Sequence, residues 1–367
     1  MRDLTVGLEE ELLVLDPESF DLVSPPGDIF MEASDGGVFK REMSPSQVEV
    51  VTGICETTSQ AVAELGVARR RLIGLLAGKR LAGLGTHPFA APWDGISPGR
   101  RYQDILEEQQ LGARLGRLAA GLHIHVAVAG ADRALAVYNA LRGVAPLFVA
   151  LAANAPFIAG RDSGLATVRP MLSDALPRQG VGPRFVSWAK LEDYVGVGLD
   201  AGAFTDVSQL WWECRLNLRL GTIELRAPDS QMSLGDVHGL AALAHATVAD
   251  LCDRYDEGAS LDAFETHTIQ ENRWRAARFG LSGSLIDLGR GRMVPTRVLV
   301  DELIRRGEGS RLHTTVAHGL QLAGGRLDRD MPAEQRGIVA EGGVRALAEW
   351  AADATERLPG VHLGATG

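Results

Sequence analysis

The stretch "TVGLEEELLVLD", Thr5 to Asp16, sets the strongest constraint on the fold. Its apolar positions alternate as in a β-strand, yet three glutamates occupy its middle. Burying ionised carboxylates is costly unless something pairs with them. Residues two apart in a strand share a face. Glu9 and Glu11 therefore point one way, beside Gly7, and Glu10 points the other way with Leu8 and Leu12. Two carboxylates ~7 Å apart along a strand repel each other, and one or two divalent cations relieve this. The competing reading is a solvated strand face at a sheet edge. Glu10 is expected to be a charge on the outer face of the sheet.

Three other segments repeat the pattern. "REMSPSQVEVV" carries Glu42 and Glu49 in apolar surroundings, and "GLHIHVAV" puts His123 and His125 on one strand face. "GTIELRAPD" puts Glu224 and Arg226 on one face, with Thr222 in line. Each alone fits an ordinary core or edge residue. Together they fit a shared polar cleft on the concave face of one sheet.

The order of elements supports such a sheet. Strand-like runs are expected at 3–15, 38–43, 46–53, 80–90, 119–130 and, as a hairpin around Leu220-Gly221, 210–229. Helical periodicity covers 57–77, 101–118, 131–153, 233–254, 296–306 and 332–353. Residues 158–210 read as loop-rich. This is not a regular βαβα order. It predicts an α+β fold, with helices on the outer face of a curved, mainly antiparallel sheet. No repeat or linker divides the chain, so residues 1–367 read as one domain with a frayed tail from about 356.

Composition narrows the function. A net charge of -10 and the lack of a long basic stripe argue against a nucleic-acid binder. The basic run "ARRRL" (Ala68 to Leu72) is expected on the solvated face of its helix. Three widely spaced cysteines without a CxxC pair read as reduced thiols of a cytoplasmic protein. No apolar leader precedes the first strand. The uncharged run Gly143–Gly160 holds two prolines and reads as a buried helix and loop, not a membrane span. "AGKRLAGLG" (77–85) lacks P-loop spacing, and "GVGLDAG" (196–202) is expected to be loop glycine.

Carboxylates with few nitrogens and no thiolates suit Mg²⁺ or Mn²⁺, and Mg²⁺ usually bridges protein carboxylates to substrate phosphates. Arg226 on the same face suits a transferred phosphoryl group. These residue types point to metal-dependent phosphoryl transfer. A metallohydrolase using the His-x-His pair with His87, His238 or His245 stays open. So does a non-catalytic protein whose acidic strand holds a cation or nucleotide.

The segments "VGLEEELLVLD", "EMSPSQVEVVTG", "GLGTHPFAAPWDG", "GLHIHV", "LAANAPFIAGRDSGLATVRP", "LPRQGVGPRFVSW", "LWWECRLNLRLGTIELRAPDSQ" and "ENRWRAARFGLSG" resemble the type 2 glutamate–cysteine ligases, or carboxylate–amine ligases. The resemblance runs in family order from about residue 4 to 350. It implies a fold like the catalytic domain of glutamine synthetase, with ATP, divalent metals and glutamate on the concave sheet face. It implies Glu9 and Glu11 as metal ligands. Glu42 and Glu49 would share a cation with Glu11, and His123 and Glu224 would join Glu9 around a second. Arg226 would face the transferred phosphoryl group, with Arg215 and Arg169 as further phosphate or carboxylate contacts. The implied substrates are ATP, an acidic amino acid (glutamate) and an amine acceptor, cysteine or another amino acid. Neither nucleic acid nor membrane is an implied partner, and a homo-oligomer is compatible. The reaction would pass through an acyl phosphate and needs no protein nucleophile. The chain departs from the family's usual wording at "WWECRLN", where Asp and then Arg-Pro often follow the paired Trp, and at "NAP" and "TVR". These departures leave the metal set intact and fall where substrate binding is shaped.

Overall fold

The computed structural model describes residues 2–30, 38–91 and 95–358. The strands are β1 (Val6–Leu15), β2 (Phe39–Arg41), β3 (Gln47–Val51), β4 (Arg80–Ala82), β5 (Leu122–Ala127), β6 (Phe157–Ile158), β7 (Arg161–Asp162), β8 (Cys214–Asn217), β9 (Thr222–Leu225), β10 (Ser284–Asp287) and β11 (Arg292–Pro295). The helices are α1 (Thr58–Leu75), α2 (Arg100–Gln109), α3 (Leu111–Gly116), α4 (Ala131–Ala152), α5 (Arg169–Ser173), α6 (Trp188–Asp200), α7 (Leu234–Asp256), α8 (Thr266–Phe279), α9 (Thr296–Glu308), α10 (His313–Arg326) and α11 (Met331–Glu356). Of the tail expected to fray beyond about 356, residues 359–367 lie outside the described residues.

Among the described residues, seven strands form the main sheet in the order β2-β3-β1-β5-β9-β8, with β4 also beside β1. Its ladders are antiparallel. The apolar phase of each strand decides its inner face. Leu8 and Leu12 of β1, Leu122, Ile124 and Val126 of β5, and Ile223 and Leu225 of β9 join one buried cluster. Leu65 and Leu72 of α1, Tyr138 and Phe148 of α4, and Leu240 and Leu243 of α7 complete that cluster. The mixed helix and antiparallel-sheet architecture agrees with the expected α+β class. Helix α4 is long and apolar enough to cross a membrane, but most of it is buried within the protein. Cys55, Cys214 and Cys252 are free and buried.

The outer face of the sheet is not solvated, which corrects the reading of Glu10. Both Glu10 and Arg69 are 0% exposed. Arg69 Nε and Nη2 donate to the two carboxylate oxygens of Glu10, each at 2.7 Å. Its Nη1 and Nη2 also donate to the backbone oxygens of Met232 and Gln231. Arg69 belongs to the run expected to be solvated, and only Arg70 and Arg71 of it are exposed. Helix α1 turns Arg69 inward because Leu65, Leu72 and Leu76 share that side.

Other boundaries move. The helix expected at 101–118 breaks at Gln110, whose φ is 49°. The "GVGLDAG" stretch is not simple loop: its first five residues are the end of α6, within the region expected to be loop. The edge strand β4 spans only three residues. Helix α11 covers it: Arg80 pairs with Asp353 and Glu356. The amides of Leu81 and Gly83 donate to Glu356 Oε1 and Thr355 Oγ1 at 2.8 and 2.9 Å. Side chains thereby satisfy an edge that would otherwise offer free donors.

Candidate active site

Antiparallel register decides which charged residues meet. Glu11 stands opposite Glu49, and Glu49 opposite Lys40. Glu9 stands opposite His123. His125 stands opposite both Gly7 and Glu224, and Glu224 opposite Arg215. Directly opposed residues point to the same face. The alternation in β1 thus places Glu9 and Glu11, with Glu49, His123, His125, Glu224 and Arg226, on the face away from the helical core.

The contacts are close. His123 Nδ1 lies 3.3 Å from Glu9 Oε2, and His123 Nε2 lies 3.6 Å from Glu11 Oε1. His125 Nε2 is 3.5 Å from Glu9 Oε2, and His125 Nδ1 is 3.0 Å from Thr222 Oγ1. Glu224 is fully buried. It accepts from Arg215 Nε and Nη2 at 2.8 and 3.0 Å, from Asn217 at 2.8 Å, and from Arg226 Nη1. Arg226 Nη1 also lies 3.3 Å from His123 Nδ1. Arg169 donates to the backbone oxygens of Ala227 and Arg226. It packs so closely on Gly121 that a Cβ there would lie 2.2 Å from Arg169 Nη2.

Electrostatics divides these carboxyls. Burial, then the neighbouring Glu11, pushes Glu42 up to about 7. Burial, with Glu42 and Glu9, raises Glu49 well above the usual carboxylate range. Burial opposes ionisation of Glu9, but hydrogen bonding to His123 and His125 holds its carboxyl low. Burial also opposes ionisation of Glu224, and His125, Arg226 and Arg215 overcome it. Burial and Arg226 keep His123 readily deprotonated.

Two donor groups can hold a cation. One is Glu9, Glu49 and His123, and the other is Glu9, His125 and Glu224; within each, the ligand atoms lie within 4.8 Å of one another. The buried Nε2 atoms of His123 and His125 have no hydrogen-bond partner among the described residues. Unsatisfied imidazole nitrogens beside crowded carboxylates fit a divalent cation. The grouping differs from the one the resemblance implied. His125, left without a role in the sequence, takes the place beside Glu224, and His123 groups with Glu49. Glu42 is half-buried and faces the same cleft. His87, His238 and His245 join neither donor group. His87 meets the Phe20 carbonyl, His238 meets Ser59, and His245 meets the Leu4 carbonyl.

The charged face opens on a cleft that includes Glu9, Glu11, Glu49, His123, Arg215 and Arg226. A second, smaller cavity is lined by Glu11, Glu42, Arg169, Glu213 and Arg226, among others. Both share Glu11, Glu42, Arg101, Tyr102, Trp211 and Arg226. Arg226 thus stands between two adjoining spaces. Such a pair suits a reaction that joins two substrates across one cationic group.

Residues 5–341 match the family described as glutamate-cysteine ligase family 2. The chain belongs to that family. It is a ligase of the carboxylate–amine class. A relative from Thermobifida fusca, provisionally named glutamate–cysteine ligase 2, is 33% identical over 350 residues, covering 93% of this chain and 88% of its own. A relative from Rubrobacter xylanophilus, provisionally named glutamate–cysteine ligase 2-3, is 37% identical over 309 residues, covering 82% of this chain and 83% of its own. Among solved structures, glutamate–cysteine ligase from Francisella tularensis in complex with AMP superposes with a TM-score of 0.70 at 12% identity. That match covers 99% of this ligase and 91% of the other chain. At that identity it speaks for the fold alone.

Proposed function

We propose that this ligase uses ATP and Mg²⁺ to phosphorylate the γ-carboxylate of glutamate, then joins the acyl phosphate to an amine. The products are an amide, ADP and phosphate. The observation that carries the reading is Arg226, placed between the carboxylate–imidazole cluster and the two adjoining cavities. We read the sheet as glutamine synthetase-like, working as one cytoplasmic catalytic domain.

A carboxylate is a poor electrophile, so the reaction must activate it and keep water from the product of that step. Glu9, Glu11, Glu42, Glu49, His123, His125 and Glu224 are the residues that would hold cations. A bound divalent cation offsets charge on phosphate oxygens. Arg226 adds a fixed cationic donor for the charge that develops on the transferred phosphoryl group. Arg215 and Asn217 hold Glu224, and Glu224 in turn holds Arg226 in place. Arg169 supplies positive charge at the wall of the smaller cavity. The attacking nucleophile is the substrate amine.

The test is ATP-to-ADP turnover with Mg²⁺ over a panel of amino acids paired with glutamate, with mass spectrometry of the product. A γ-glutamyl amide formed in proportion to ADP supports the reading. Absence of turnover with every pair overturns it. The metallohydrolase alternative is disfavoured because, among the described residues, each donor group holds one histidine, the His-x-His pair is split between them, and His87, His238 and His245 join neither.

A further inference from the structure

The smaller cavity holds a charged residue that the proposed chemistry leaves unused. Glu213 follows the paired tryptophans and precedes β8. It is 7% exposed and lines the cavity. Its Oε1 accepts from Arg273 Nε at 2.6 Å, and Arg273 is held in turn by Asp174. Its Oε2 is buried and has no hydrogen-bond partner among the described residues. A buried carboxylate oxygen without a donor forfeits the hydrogen bonds it made in water. Its position is fixed, because Arg273 holds one oxygen and the backbone oxygen of Glu213 accepts from Arg226 N.

Arg169 lines the same cavity and is also 7% exposed. Two of its nitrogens are taken by backbone oxygens, while its buried Nε has no partner among the described residues. The cavity is therefore lined by a carboxylate and a guanidinium that each keep one buried polar atom without a hydrogen-bond partner among the described residues. Water satisfies either sign singly, but an α-amino acid brings an ammonium and a carboxylate on one carbon. Met43, Ile105, Leu176 and Trp211 give the cavity an apolar stretch of wall that suits an uncharged side chain or methylene stem, beside the charged Glu11, Glu42, Arg101, Arg117 and Arg226.

We propose that Glu213 and Arg169 are the two poles of a subsite for the zwitterionic end of an α-amino acid substrate. Glu213 Oε2 accepts from the ammonium group, and Arg169 faces the carboxylate. The proposal rests on the ligase reading and names the part of the substrate that this cavity takes. The same zwitterion occurs on glutamate and on an amino-acid amine acceptor.

The experiment compares wild type, Glu213→Gln and Glu213→Asp, using L-glutamate, L-cysteine and ATP as probes. Each is varied at saturating levels of the other two. Glu213→Gln raises the KM for one of the two amino acids about tenfold or more, as loss of a charged hydrogen bond does. The KM for ATP stays within about twofold, and Glu213→Asp recovers part of the loss. A rise for glutamate assigns the subsite to the acid, and glutarate, which lacks the ammonium group, then shows no difference between wild type and variant. A rise for cysteine assigns it to the amine acceptor. Unchanged amino-acid KM values overturn the proposal. So does an equal rise in all three, which is what a merely structural brace on Arg273 would give. If wild type turns over no pair, the ligase reading fails separately. Calorimetric binding of L-glutamate and L-cysteine to wild type and Glu213→Gln with MgADP then decides the subsite, and equal affinities overturn it. Circular dichroism and thermal melting verify that the variants are folded.

Discussion

Glu10→Gln is the sharpest test of how the sheet is built. The substitution removes one charge from a pair in which both side chains are 0% exposed. Arg69 loses its two-point ionic partner and is left with one neutral acceptor there, beside the carbonyls of Met232 and Gln231. Breaking a buried ion pair from one side costs about 3–5 kcal/mol. Glutamine keeps one acceptor oxygen, so the expected loss is about 3 kcal/mol. That is a large share of a typical total of roughly 5–15 kcal/mol. Urea unfolding followed by circular dichroism measures it. Below the transition, Mg²⁺-dependent turnover per folded molecule stays at the wild-type level, because Glu10 faces the helices. Adding Arg69→Met does not restore full stability, since the two carbonyls then lose their donor. A loss below about 1 kcal/mol would refute the assigned energetics. Lost metal dependence in a folded Glu10→Gln protein would refute the strand phase.

Wild type melts at a higher temperature with Mg²⁺ than without, by mass action on the folded state. In Glu49→Gln that increment disappears along with Mg²⁺-dependent turnover, as calorimetry and the ADP assay show. Arg226→Lys loses the planar fork, and steady-state kinetics give a kcat lowered about tenfold or more with a smaller change in the KM for ATP. Gly121→Ala pushes a Cβ against Arg169 Nη2, costing about 1–3 kcal/mol in thermal or urea unfolding and raising an amino-acid KM.

Strand phase was readable because its period is two and independent of the rest of the chain. The separation of Glu9 and Glu11 from Glu10 follows from β1 alone. The partner of Glu10 does not, because Arg69 lies 59 residues away on another element. A run of three arginines looks solvated until helix phase puts one of them beneath the sheet. The grouping of His125 with Glu224 is a matter of register between β5 and β9, and each segment alone is silent about it. Helix α6 hid in a stretch with many glycines and prolines, with only Leu191 and Gly198 buried along it. Trp188, Leu191 and Val195 keep a helical spacing, but Gly196 and Gly198 and the glycines and prolines before the helix read as loop. Glu213 was passed over as a departure from family wording. The signal that exposes it is three-dimensional, an oxygen with no donor.

The cover that α11 places over β4 has a temporal consequence. The amide of Leu81 is satisfied by a residue 275 positions later. At about 5–20 residues per second of synthesis, that partner emerges roughly 15–55 s after the strand. For that interval the growing chain carries an open β-edge whose closing element does not yet exist. The nascent protein therefore depends on chaperones, or on the shortness of a three-residue strand, to keep that edge from pairing with a neighbour.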